Sequence, residues 1–163
     1  KITALPFIQG GAQERGLRGG TENLYGIIGL AKAMDLAYTD LEEHQSHVQD
    51  IKSYMIDQLK EIFTDVSFHG DTNPNKSLYT VLNVQLPKTD KSSMLLFTLD
   101  LKGVACSGGS ACSSGSTVGS HVLRGIKADM SRPNARFSFS RYTTKEEIDY
   151  AVDVLKEAYG KEL

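Results

Sequence analysis

The sequence predicts an α+β fold: a small, mostly antiparallel sheet with packed helices, preceded by a long helical segment. Three observations carry this expectation. Apolar residues recur at three- and four-residue steps near both ends of the 163-residue chain, the period of a helix. Between them lie short β-branched runs closed by Gly or Pro, the pattern of strands. A run without any large side chain, "CSGGSACSSGS", interrupts the second half and can fill no core.

Taken in order, the first 23 residues form a Gly-rich loop, in which "GGAQERGLRGGTEN" carries five Gly and two Arg. From Leu24 the pattern turns helical, with Leu24, Ile27, Ile28, Ala31 and Met34 on one stripe. A second helix is expected near Asp40, where Asp40 and Glu43 have capping-box spacing. Leu41, Val48, Ile51, Met55, Leu59 and Ile62 line its apolar face, while His44 and His47 fall outside that face and read as solvated surface. "VSFHG" and "SLYTVLNVQL" predict two strands, the second ended by Pro87. "SSMLLFTLDLKG" predicts a helix stopped by Gly103, and "GVAC" a short strand running into the Ser/Gly loop. Ser120 to Ile126 suits a brief helix and "NARFSFS" a strand. Thr143 and Thr144 before Glu146 and Glu147 open a last helix, striped by Ile148, Val152, Leu155 and Tyr159.

Composition bounds the function. Hydrophobic content of 40 % and charged content of 23 % are those of an ordinary globular protein. A net charge of −2 without a basic run argues against a dedicated nucleic-acid binder. No apolar stretch approaches the roughly 20 residues of a membrane span. Two cysteines six positions apart make no disulfide framework, so a reducing, cytoplasmic setting is expected. The chain opens on "KITALPF" with neither an initiator Met nor a capped element, which predicts a piece of something longer.

Chemistry-bearing residues are few. Cys112 lies in the middle of the permissive run, where a thiol can attack in one place and deliver in another; the alternative is an incidental surface cysteine. Cys106 stands at a strand edge and reads as a small packed hydrophobe. The spacing of the two cysteines and the scattered His give no metal site. Arg136 leads "RFSFS" on a strand expected beside the cysteine loop, and its guanidinium suits a two-point grip on a carboxylate or a surface salt bridge. "RGLRGGT" offers peptide N–H groups, two Arg and a hydroxyl before a helix, the makings of an anion site, though not of a Walker A loop.

Four motifs in order, "QERGLRGGTEN", "SGGSACSSGS", "SHVLRGI" and "ARFSFSRYTTKEEID", resemble the C-terminal part of pyridoxal-phosphate-dependent cysteine desulfurases. These are class V aminotransferases, and the closer likeness is to the nitrogen-fixation/iron–sulfur-cluster branch. The resemblance runs from about Phe7 to Tyr159. It implies that Cys112 is the catalytic cysteine, which receives the sulfur of L-cysteine as a persulfide. By the same resemblance Arg136 binds the substrate carboxylate, and Thr21 reaches the cofactor phosphate of the neighbouring subunit in a homodimer. It carries no role onto Cys106. The lysine that holds the cofactor covalently lies upstream in this family, and none of the twelve Lys here has its context. Residues 1–42 would then be a remnant of the large cofactor-binding domain and 43–163 the C-terminal small domain, inactive alone. The sulfur acceptor implied is an iron–sulfur scaffold or a thio-cofactor protein. A cofactor-free persulfide carrier, or a selenocysteine lyase of the same class, is the alternative.

Overall fold

The computed structural model describes residues 5–89, 92–108 and 120–160. Two compact units divide between Leu41 and Glu42.

The first unit is a glycine-rich loop and one helix. The loop turns tightly through Gln13–Gly16, where Glu14 and Arg15 take left-handed backbone angles (φ 49° and 57°). It is pinned by the Gly19 N–H, which donates to the Ile8 carbonyl at 2.8 Å. Gly10 and Gly19 meet backbone to backbone: a Cβ on Gly19 would lie 2.6 Å from the Gly10 nitrogen. Helix α1 (Leu24–Thr39) starts at Asn23, whose side chain accepts from the Gly26 N–H at 3.1 Å. It buries none of its residues within this unit. Asp40 is the C-cap of α1.

In the second unit the amphipathic helix α2 (Leu41–Ile62) lays Val48, Ile51, Met55, Ile56 and Leu59 into the core. Leu41, expected on that face, is exposed. Strands β1 (Ser67–His69), β2 (Val81–Gln85) and β3 (Asn134–Ser138) form a sheet of order β1-β2-β3, antiparallel at both steps. Helices α3 (Leu95–Leu101), α4 (His121–Gly125) and α5 (Lys145–Tyr159) complete the unit. Thr144 and Glu147 close a reciprocal capping box at the start of α5, as their spacing predicts.

One core joins these elements. Leu82, Val84 and Leu86 of the β2 segment and Ala135, Phe137 and Phe139 of the β3 segment meet the apolar faces of α2, α3 and α5. Phe63 and Tyr159 stack edge to face, and the Tyr159 hydroxyl donates to the Pro87 carbonyl at 2.8 Å.

The predicted strand at "GVAC" is absent. Gly103 takes φ +77°, and the Val104 N–H bonds back to the Leu99 carbonyl at 2.8 Å, so this stretch finishes α3 instead of joining the sheet. It stands off from β3 and leaves a cavity of about 490 Å³ lined by Val104, Ala105, Phe137, Phe139 and Ile148. The first half of the predicted long strand is also a turn. There Lys52, only 2 % exposed, reaches from α2 to the Ser77 hydroxyl (3.0 Å) and the Leu78 carbonyl (2.8 Å).

Candidate active site

Side chains alternate across a strand, so Arg136 faces away from Ala135 and Phe137 and out of the core. Its cross-strand partner on β2 is Asn83, and Asn83 pairs in turn with His69 on β1. On its other side Arg136 forms an isolated antiparallel bridge with Ser107. His69, Asn83, Arg136 and Ser107 therefore make one row across the core-averted face, with neighbours about 5 Å apart.

This face is polar and half-buried. The Asn134 amide donates to the Asn83 side-chain oxygen, and Ser67 donates to Gln85 at 3.3 Å. Gln85 donates onward to the Asp129 carbonyl at 2.8 Å. On the same face His69 Nε2, Ser107 Oγ and Asn134 Oδ1 are buried and have no hydrogen-bond partner among the described residues. Burial, and second the Arg132 charge, hold the His69 imidazole below its ordinary pKa, which favours its neutral form. A cleft of about 280 Å³ opens beside the row, lined by His69, Asn83, Lys52, Asp71 and Ser77.

The bridge at Ser107 anchors the start of the Ser/Gly run. Its N–H donates to the Arg136 carbonyl at 3.1 Å, and the Arg136 N–H donates to the Ser107 carbonyl at 2.6 Å. Cys112 lies outside the described residues. Cys106, one residue before the bridge, packs against the core. Burial, and second the charge of Asp100, push its thiol up to about 11. Such a thiol is almost wholly protonated at neutral pH and makes a poor nucleophile.

Thr21 belongs to the first unit. Arg18 Nη1 donates to the Thr21 carbonyl at 3.2 Å, and Gly20 holds φ +91°. Thr21 thus stands in a braced turn just ahead of α1.

Sequence reading singled out Arg136 and missed the residues around it. The odd-numbered polar residues of "VLNVQ" and the even-numbered ones of "NARFS" were the available signal. Only the register shows that Asn83 and Arg136 stand opposite one another.

Residues 8–151 match the class-V aminotransferase family model. The chain is 37 % identical over 158 residues to a cysteine desulfurase IscS from Dictyoglomus turgidum, covering 96 % of this chain and 39 % of that protein. It is 35 % identical over 158 residues to a Dictyostelium discoideum protein named "Probable cysteine desulfurase, mitochondrial", covering 96 % of this chain and 34 % of that one. Among solved structures, a NifS-like protein superposes with a TM-score of 0.77 at 30 % identity, over 96 % of this chain and 39 % of the other. The chain thus spans well under half the length of these relatives. With the match over residues 8–151 and the superposition in agreement, the chain belongs to the class-V aminotransferase family.

Proposed function

We propose that this chain is the sulfur-carrying, carboxylate-binding part of a pyridoxal-phosphate-dependent cysteine desulfurase, which converts L-cysteine to L-alanine. The observation that carries the reading is the Ser107–Arg136 bridge, which ties the start of the cysteine loop to the strand bearing the carboxylate arginine. In this reading residues 1–42 are the remnant of a large domain and 43–163 the small domain.

Arg136 fixes the substrate by its carboxylate through two parallel hydrogen bonds. Pyridoxal phosphate, when bound, supplies an electron sink that lets the Cα proton leave and weakens the C–S bond. The Cys112 thiolate attacks the substrate sulfur, forming an S–S bond. The C–S pair departs with carbon, which takes up protons to become alanine. Cys112 is left as a persulfide on a permissive tether that can carry the sulfur to an acceptor, an iron–sulfur scaffold or a thio-cofactor protein, in a reducing compartment such as the cytoplasm.

The residues present fit the phosphate end of the cofactor. The Gly20 and Thr21 peptide N–H groups and the Thr21 hydroxyl, beside Arg18, suit an anion, and Thr21 would serve the neighbouring subunit of a homodimer. Lys32, Lys102 and Lys156 are paired with Asp35, Glu157 and Asp153, and Lys52 is tied to Ser77 and Leu78. In this reading the chain alone binds no stoichiometric cofactor.

The test uses full-length enzyme and labelled cysteine, with the extra sulfur located by peptide mass analysis. Cys112→Ser should abolish alanine formation with cofactor still bound, and Cys106→Ser should change little. Arg136→Ala should raise KM, in line with a loss of about 2–4 kcal/mol of carboxylate binding. Sulfur found on Cys106, or an unchanged rate in Cys112→Ser, would overturn the assignment.

A further inference from the structure

Arg136 does not stand alone on its face of the sheet. It is flanked in register by Asn83 on one side and Ser107 on the other. The Asn83 oxygen accepts from the Asn134 amide, so what Asn83 has left to offer a ligand is its own pair of amide N–H donors. Ser107 Oγ is buried and has no hydrogen-bond partner among the described residues. A hydroxyl held in this way is unusual, because buried polar atoms are nearly always paired.

A carboxylate has about four lone-pair positions on its two oxygens, and a guanidinium fork fills two of them. The remaining two call for donors on either side of the fork. The row supplies them: an amide from β2 and a hydroxyl from the Ser107 bridge.

We infer that Asn83 and Ser107 complete the carboxylate site, so that the α-carboxylate of the amino-acid substrate is held by three residues of one sheet row. This rests on the proposed function for the identity of the substrate, and it adds to that reading two substrate-binding residues. Ser107 then has two duties. Its backbone ties the cysteine loop to β3, and its side chain waits for the ligand.

The experiment is a calorimetric titration of full-length holoenzyme, wild type, Ser107→Ala and Asn83→Ser, with L-alanine and with ethylamine, its counterpart lacking the carboxylate. Each variant should weaken L-alanine binding about tenfold, the range of one hydrogen bond to a charged group. Ethylamine binding should stay within twofold of wild type. Thermal unfolding of ligand-free Ser107→Ala should be unchanged or raised, because the hydroxyl removed has no partner there. That pairing of weaker binding with undiminished stability is one a merely structural serine would not produce. Equal loss toward both ligands, or unchanged L-alanine affinity in Ser107→Ala, would overturn the inference. Should Asn83→Ser fail to fold, Ser107→Ala decides alone. The titration measures the carboxylate grip whether or not sulfur is released. A wild type that binds L-alanine in this pattern but makes none from cysteine would sink the proposed function and leave the carboxylate site standing.

Discussion

Ser107 and Arg136 exchange both of their backbone hydrogen bonds, at 3.1 and 2.6 Å, although 28 residues separate them and neither neighbour of Ser107 joins the sheet. One ladder step thus fixes Ser107, at the start of the Ser/Gly run, against β3. Ser107→Pro removes the donor and should destabilise the second unit by about 1–3 kcal/mol. Urea denaturation measures the cost, and hydrogen exchange should quicken at the Arg136 amide. Unchanged stability together with unchanged exchange would mean that the bridge does not form in solution.

Cys106 should resist alkylation at neutral pH. With its thiol at about 11, against an ordinary 9.0, burial keeps it protonated where an exposed cysteine has begun to ionise. Its rate with iodoacetamide should climb about tenfold per pH unit through pH 7–10 without levelling off. Mass-resolved labelling of the Cys106 peptide gives the profile, and a plateau near pH 9 would contradict the packing described. The sign for stability follows. The group's contribution is intact below pH 9, where both states are protonated. It is lost as pH rises toward 11, because the unfolded chain ionises first.

Lys52 is a second buried group with a measurable signature. Burial lowers its pKa, partly offset by the charge of Asp71, so the folded protein holds this proton less tightly than the unfolded chain does. The penalty is complete below the folded pKa and fades as pH rises from there toward 10.5. Wild type should therefore gain stability relative to Lys52→Met over that window, read from urea midpoints at successive pH values. Lys52→Ala should cost about 2–4 kcal/mol at neutral pH, through the lost stem and two unmade hydrogen bonds. A constant difference between wild type and Lys52→Met across the window would rule out the shift.

Helix α1 leaves Leu24, Ile27, Ile28, Leu30 and Met34 exposed, with Ile28 67 % accessible. Apolar surface of this extent is unfavourable in water at roughly 25 cal/mol per Å². The isolated chain should associate with itself through α1, and Ile28→Asp should shift it toward monomer in sedimentation velocity. A wild-type chain that stays monomeric at high micromolar concentration and binds no hydrophobic dye would show that the stripe is covered.

Much of the second unit was legible in the sequence because its signals are local. The α2 stripe, the Thr144–Glu147 cap and the alternation of "NARFS" each state their own structure within a few residues. What failed depended on distant partners. "GVAC" has strand propensity, yet the left-handed turn at Gly103 and the bond to Leu99 hold it on α3. Lys52 reads as a polar break in an apolar stripe, and its burial follows from acceptors 25 and 26 residues away. Arg136 could be suspected from its motif, whereas Asn83 and Ser107 become its neighbours only through strand register.

The two faces of the sheet are written in odd and even numbers. On β2 the even residues Leu82 and Val84 go inward and the odd Asn83 and Gln85 outward; on β3 the odd Ala135 and Phe137 go inward and the even Asn134 and Arg136 outward. Deleting or inserting one residue within β3 would reverse this parity for every later position of the strand. Arg136 would be driven into the oil of the core as Phe137 was driven out of it. A slipped copy would thus fail as a folded body before its altered surface could matter, and selection for solubility alone guards the outward row of Asn83 and Arg136 against frame-like errors.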